Sequence, residues 1–284
     1  MTRVEAGGVG LAVTDAGDGP AIIMIHGFPE LQHSWRHQVP ALLAAGYRVI
    51  TYDQRGCGGS DIPLGVESYD LETLSHDVIA ILDELDVDTA TLVGHDWGSI
   101  VTYTTALLHP SRVDRVVSLN VPYLGHCEAF PPIAFMRERL PDRFGYVLAF
   151  QEEGRAEAGF SRSPEEWLQR FYRSAATVFP FMTDADLRFY VDTFAETGIT
   201  GTVNWYRNID ANALRFAEYK DAPITQPTLL IAADRDPVLP LSLTEGMGRW
   251  VDDFERVVID ECGHWTQQER PEATNRALID WLSP

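Results

Sequence analysis

Thr89-Ala90-Thr91-Leu92-Val93-Gly94-His95-Asp96-Trp97-Gly98 is the stretch on which the fold turns. An apolar run of strand length leads into a small-x-nucleophile-x-small pattern, the signature of a sharp strand-to-helix elbow. An esterase of this design carries serine at the centre; here the residue is Asp96. A serine must be deprotonated before it attacks, whereas an aspartate is anionic at neutral pH without help. A carboxylate attacks amide carbonyls poorly but is a usable nucleophile toward a saturated carbon that bears a leaving group. The product is an ester of the protein, which water must then cleave.

Outward from the elbow, the chain alternates. Ala21 to His26 and Tyr47 to Asp53 read as buried strands, and His33 to Ala45 as a helix stopped by Gly46. Leu71, Leu74, Val78, Ile81, Leu82 and Leu85 recur at helical spacing. After the elbow come a helix to His109 and a strand from Val113 to Leu119. Continuous apolar strands between amphipathic helices predict an α/β fold: a mostly parallel, doubly wound sheet covered on both faces. The rhythm breaks after Pro122. From about Gly125 to Asp221 the sequence is aromatic-rich and helix-forming. Ser163-Pro164-Glu165-Glu166 reads as a cap with proline at the first helical position, and Thr183-Asp184-Ala185-Asp186 as a second helix start. The alternation resumes with strands at Pro227 to Ala233 and Phe254 to Ile259 and a closing helix from Pro271 to Leu282. The expected organisation is a core of residues 1–122 and 223–284, with residues 123–222 inserted as a helical cap, or lid. Such an insertion belongs over the carboxyl edge of the sheet, where open α/β sheets place their sites.

Composition narrows the function. The chain has 284 residues and a formal net charge of −20, from 22 basic and 42 acidic side chains. That surface repels nucleic acid and anionic membranes, so neither is an expected partner. Cys57, Cys127 and Cys262 have no metal-ligand or redox spacing and are expected to be free thiols. The first residues lack the apolar stretch of a signal peptide, so a cytoplasmic protein is expected. The sequence leaves a homodimer open.

Strand ends carry candidate catalytic groups in the order Asp96, then Asp234 or Asp236, then His264. Nucleophile, acid, histidine is the chain order of elbow enzymes. An isolated histidine is more often a packing residue. His264, in the glycine-bearing loop Cys262-Gly263-His264-Trp265 after the last strand, stands where a catalytic base belongs. Of the two acids, one is expected to orient the histidine and the other to cap the loop or pair with arginine. His26-Gly27-Phe28-Pro29 follows the first long buried strand. There the backbone N–H of Phe28, with that of Trp97, is expected to form an oxyanion hole. Asp53-Gln54-Arg55-Gly56-Cys57-Gly58-Gly59-Ser60 lacks the lysine and spacing of a phosphate loop and reads as a structural turn, with Asp53 and Arg55 paired internally. His95 reads as structural.

The chain resembles the epoxide hydrolases of the α/β-hydrolase fold, the group that includes the C-terminal domain of the soluble mammalian enzyme. The matching segments are His26-Gly27-Phe28-Pro29-Glu30, Gly94 to Gly98, Phe150-Gln151-Glu152, Asn204-Trp205-Tyr206-Arg207-Asn208 and Asp260 to Gln267. The first two are shared with dehalogenases; with the cap segments the set is specific. The resemblance implies that Tyr206 and Tyr146 hold the epoxide oxygen, that Asp236 is the acid, and that the Phe28–Pro29 peptide is cis. It implies a small hydrophobic epoxide as substrate and neither metal nor organic cofactor. Phe28, Trp97, Phe150, Trp205 and Trp265 are expected to contact substrate, with Phe130 and Phe179 among the apolar walls.

Three alternatives compete. A haloalkane dehalogenase would share Asp96 and His264 but must bind halide with N–H donors, and Phe28 offers no side-chain amide. A non-catalytic binder of small apolar ligands has no need of nucleophile, acid and histidine together. A serine esterase is disfavoured because no Gly-x-Ser-x-Gly elbow occurs.

Overall fold

The structure, a computed structural model, describes residues 1–125 and 131–283. Among them, β1 (Thr2–Ala6), β2 (Val9–Ala16), β3 (Ala21–Ile25), β4 (Arg48–Tyr52), β5 (Ala90–His95), β6 (Val113–Leu119), β7 (Thr228–Ala233) and β8 (Phe254–Ile259) form one sheet in the order β1-β2-β4-β3-β5-β6-β7-β8. β1 pairs with β2, and β2 with β4, antiparallel; all other pairs are parallel. The predicted fold class holds. The N-terminal hairpin was not predicted.

The strands read as unbroken apolar runs because both faces are covered. Alternate residues of β3 part company: Ile23 and Ile25 join one core with Leu92, Val116 and Leu230, while Ile22 and Met24 join the other with Val93, Val117 and Leu229. β5 and β7 are buried along their whole length.

Helices Leu71–Glu84, Trp97–Leu108 and Pro271–Leu282 match their predicted spans. The segment from His33 does not run as one helix. A 3-10 turn, Gln32–Trp35, precedes a helix over Gln38–Ala44. Pro40 is the reason, since its ring would clash with the Arg36 carbonyl four residues earlier in a continuous helix. Between β6 and β7 lie helices Ile133–Arg139, Gly145–Phe150, Arg155–Arg162, Pro164–Ala175, Asp184–Thr197, Thr200–Arg207 and Ile209–Arg215. Thr183 and Asp186 form the reciprocal cap expected there. Ser163 stands at its predicted cap position, but its side chain makes no capping bond. No helix among the described residues is long and apolar enough to cross a membrane.

The chain passes from β3 to β4 on one side and later to β5 on the other. This reversal opens a crevice beyond the carboxyl ends of β3 and β5. His26-Gly27-Phe28 leaves one end and Asp96 tops the other.

Candidate active site

Asp96 sits between β5 and the helix Trp97–Leu108 at φ 53°, ψ −122°. A non-glycine residue there costs on the order of 1–3 kcal/mol and persists only where its surroundings fix it. They do. A Cβ on Gly98 would lie 1.9 Å from the Ile25 carbonyl oxygen, and one on Gly27 would lie 2.4 Å from Asp96 Cβ. The small residues of the motif let the elbow and the β3 loop pack backbone against backbone.

That packing points Asp96 at the loop. The Phe28 N–H donates to Asp96 Oδ1 at 2.8 Å, and the Phe28–Pro29 peptide is cis, as expected. With Oδ1 held, Oδ2 is the free oxygen, 3.6 Å from His264 Nε2. His264 Nδ1 donates to Asp236 Oδ2 at 2.8 Å. Asp236 Oδ1 accepts from the Val238 and Leu239 N–H groups at 2.7 and 3.0 Å. Asp234 accepts the Cys262 N–H at 3.0 Å and lies 3.8 Å from Arg235. The structure thus gives Asp236 the histidine and Asp234 the loop.

The electrostatics follow from burial and charge. Burial disfavours a charged His264, but the Asp236 and Asp96 carboxylates outweigh it and raise its pKa well above the ordinary value. Burial would raise Asp236, yet the His264 charge and the bonds from His264, Leu239 and Val238 hold it below the usual carboxylate range. In Tyr206 and Tyr146, burial and then the Asp96 charge push the phenol pKa upward. Both phenols keep their protons, and their rings meet edge to face at 5.9 Å.

A cavity of about 710 Å³ opens on these groups, lined by Asp96, His264, Tyr146 and Tyr206 among others. Phe28, Phe150 and Trp265, expected to contact substrate, line it, together with Trp167 and Phe171, which the sequence did not single out. The Phe28 ring meets Phe150, Phe171 and Tyr206 edge to face at 5.4, 5.3 and 5.2 Å. Trp97 and Trp205 do not line it. Both are fully buried and pack on each other at 6.3 Å, Trp97 lying under Tyr206 at 5.0 Å. Trp205 packs instead on the His26 ring at 6.2 Å, away from the cavity. Phe179 lines a different depression, beneath the Arg173 guanidinium at 4.8 Å. Phe130 and Cys127 lie outside the described residues. Cys57 and Cys262 are free and buried, and burial pushes the Cys262 thiol up to about 12.

Other residues act around this set. Glu30, wholly buried, accepts from the Gly27 N–H and from Gln267 and Gln268, and pairs with His95 Nδ1 at 2.7 Å. His95 Nε2 meets the His264 carbonyl at 2.8 Å. His95 therefore joins the elbow to the histidine loop, consistent with its structural reading. Asn120, beyond β6, touches both Asp236 and His264. Arg55 pairs with buried Asp77, while Asp53 accepts from Gln32 and Gly59; the two do not pair with each other. Among the described residues no group of His, Cys, Asp or Glu could hold a metal ion.

A family model described as the alpha/beta hydrolase fold matches residues 20–271. Epoxide hydrolase A of Mycobacterium tuberculosis is 38% identical over 99% of this chain and 96% of its own length. Bifunctional epoxide hydrolase 2 of Sus scrofa is 35% identical over 97% of this chain, which spans 53% of that protein. The crystal structure of epoxide hydrolase A from Mycobacterium thermoresistibile superposes with a TM-score of 0.92 at 37% identity, over 99% of this chain and 97% of that one. With likeness along its full length and an aspartate at the elbow of the sheet, the chain belongs to the epoxide hydrolases of the α/β-hydrolase fold.

Proposed function

We propose that Asp96 opens the epoxide ring of a small hydrophobic substrate, and that residues 123–222 form the cap that shapes the cavity around it. The observation that carries this is the meeting of Asp96, His264, Tyr146 and Tyr206 on one cavity. The free Asp96 oxygen attacks a ring carbon and breaks its bond to the ring oxygen. That oxygen leaves as a strongly basic alkoxide, so it must receive a proton. Tyr146 and Tyr206 stay protonated and supply it. The result is a hydroxyalkyl ester on Asp96. Once esterified, Asp96 has no charge, so one of the two carboxylates that kept His264 protonated is gone. His264 then releases its proton, which restores the tyrosine, and takes one from water. The hydroxide attacks the ester carbonyl. Its oxygen, already at the Phe28 N–H, takes up the negative charge with the Trp97 N–H as second donor. Collapse expels the alkoxide, which takes the proton of the newly formed carboxyl, so that a vicinal diol leaves and Asp96 returns as a carboxylate. Asp236 orients the imidazole and balances its charge throughout.

A halide leaving group needs no proton, so paired phenols against the nucleophile favour the epoxide. Parallel assays on an aryl epoxide and a bromoalkane test the reading. It predicts diol from the first and no bromide from the second; fast bromide release without diol would overturn it.

A further inference from the structure

Asn120 follows β6 at φ 68°, a left-handed conformation that asparagine tolerates better than most side chains. It is 1% exposed. Its backbone N–H donates to the Ile231 carbonyl at 2.9 Å, which extends the β6–β7 ladder by one bond. Both its side-chain amide hydrogens and its amide oxygen have partners. Nδ2 donates to Asp236 Oδ2 at 2.9 Å and to the His264 carbonyl at 2.7 Å; Oδ1 accepts from Thr266 Oγ1 at 2.8 Å. A carboxylate and a carbonyl only accept, so these partners fix which end of the amide is nitrogen. Asp236 is thereby saturated: two backbone N–H groups on Oδ1, and His264 Nδ1 and Asn120 Nδ2 on Oδ2.

One side chain thus grips both the acid and the residue that the acid orients, on loops that leave β7 and β8. We infer that Asn120 is a positioning residue for ester hydrolysis, holding the Asp236–His264 pair in register and sharing the Oδ2 charge so that His264 can act as a base. This rests on the proposed function. Ring opening needs the Asp96 oxygen and the tyrosines, none of which Asn120 touches; ester hydrolysis needs the imidazole. The groups facing His264 are Asp236, Asp96 and the His95 ring, 5.0 Å between centroids, with Glu30 behind His95. Tyr146 and Tyr206 share its cavity, and Glu269 accepts from the N–H groups of Gly263 and Trp265 in its own loop. Arg143 reaches the acid loop only through the Val238 carbonyl. Removing the Asn120 donor leaves more charge on Asp236 Oδ2. The imidazolium is then held more tightly, and the basic form appears at higher pH.

The test is single-turnover and steady-state kinetics of Asn120→Gly, which keeps the left-handed backbone without strain. Ester hydrolysis should slow about tenfold to a hundredfold, a misplacement effect. Ester formation should change less than about threefold, as expected for a step the side chain does not touch. The esterified enzyme should then accumulate, kcat and KM should fall together at constant kcat/KM, and the limb of kcat against pH should move to higher pH. Equal slowing of both steps, or an unmoved limb, would overturn the inference. Thr266→Val, which removes only the bond to Asn120 Oδ1 and a weaker one to Gly263, should show the same pattern more weakly and serves if the glycine variant does not fold. Absence of any esterified intermediate in the unaltered protein would instead defeat the function on which the inference stands.

Discussion

In the proposed mechanism, two residues with shifted proton affinities divide the work with Asp96. His264 is held as a cation by two carboxylates, one of which the proposed ring opening would neutralise. Its pKa is raised in the fold, so its contribution to stability is complete below the ordinary histidine value and fades as pH rises through the raised one. Asp96→Asn removes one carboxylate permanently. Turnover should vanish, and NMR titration should find His264 deprotonating at lower pH than in the unaltered protein; an unchanged titration would show that Asp96 does not control the base. Tyr206 is held neutral by burial and the Asp96 charge. Tyr206→Phe should slow ester formation by on the order of a hundredfold or more, the range for loss of a general acid, and slow ester hydrolysis far less. Rapid-quench measurement separates the steps, and equal losses would contradict the assignment.

At the scale of elements, the site is assembled by close approach. Tyr172, on the helix Pro164–Ala175, donates its hydroxyl to the Pro29 carbonyl, and the backbone of that helix accepts the Trp265 indole N–H. The glycine loop after β4, read from sequence only as a turn, seats the helix Thr200–Arg207 that carries Tyr206. A Cβ on Gly201 would lie 2.4 Å from Gly56 Cα. Gly201→Ala must therefore push this helix off its seat. Overpacking of this kind costs typically about 1–3 kcal/mol. The prediction is a lower melting temperature and, as Tyr206 shifts, ester formation slowed about tenfold or more. Unchanged ring opening would mean that the glycine contact does not position Tyr206. The elements themselves were legible wherever one face or both had to be buried: β3, β5, β7 and the helix Leu71–Glu84 announce themselves by period. The hairpin of β1 and β2 carries a weaker signal, short strands joined across Gly7-Gly8 with several exposed positions. Pro40 marks the break between the 3-10 turn and the helix Gln38–Ala44.

For the molecule as a whole, the segment between β6 and β7 is tied to the segment that follows β3. Asp186, on the helix Asp184–Thr197, accepts from His33 Nε2 at 2.7 Å and lies 3.3 Å from Arg36 Nε. Motif order along the chain brought Asp96 and His264 to one cavity because strand ends in this topology converge, whereas Tyr206, on a helix, was placed there by the family resemblance alone. Tryptophan identity did not reveal which rings face the cavity, since Trp97 and Trp205 satisfy an aromatic pattern while packing inward. Asn120 and Glu30 were not legible from local sequence: Asn120 meets Asp236 and His264 116 and 144 positions away, and Glu30 meets Gln267 and Gln268 237 and 238 positions away, contacts that exist only once β3, β6, β7 and β8 are aligned.

The claim beneath all of this is a covalent bond between Asp96 and the substrate. Single turnover in heavy-oxygen water, with enzyme in excess, reads it directly by mass spectrometry of diol and peptide. The account predicts that the first diol contains no solvent oxygen and that the label resides in the Asp96 carboxylate. Heavy oxygen in the first diol, with Asp96 unlabelled, would show that water attacks the ring itself and would contradict the mechanism.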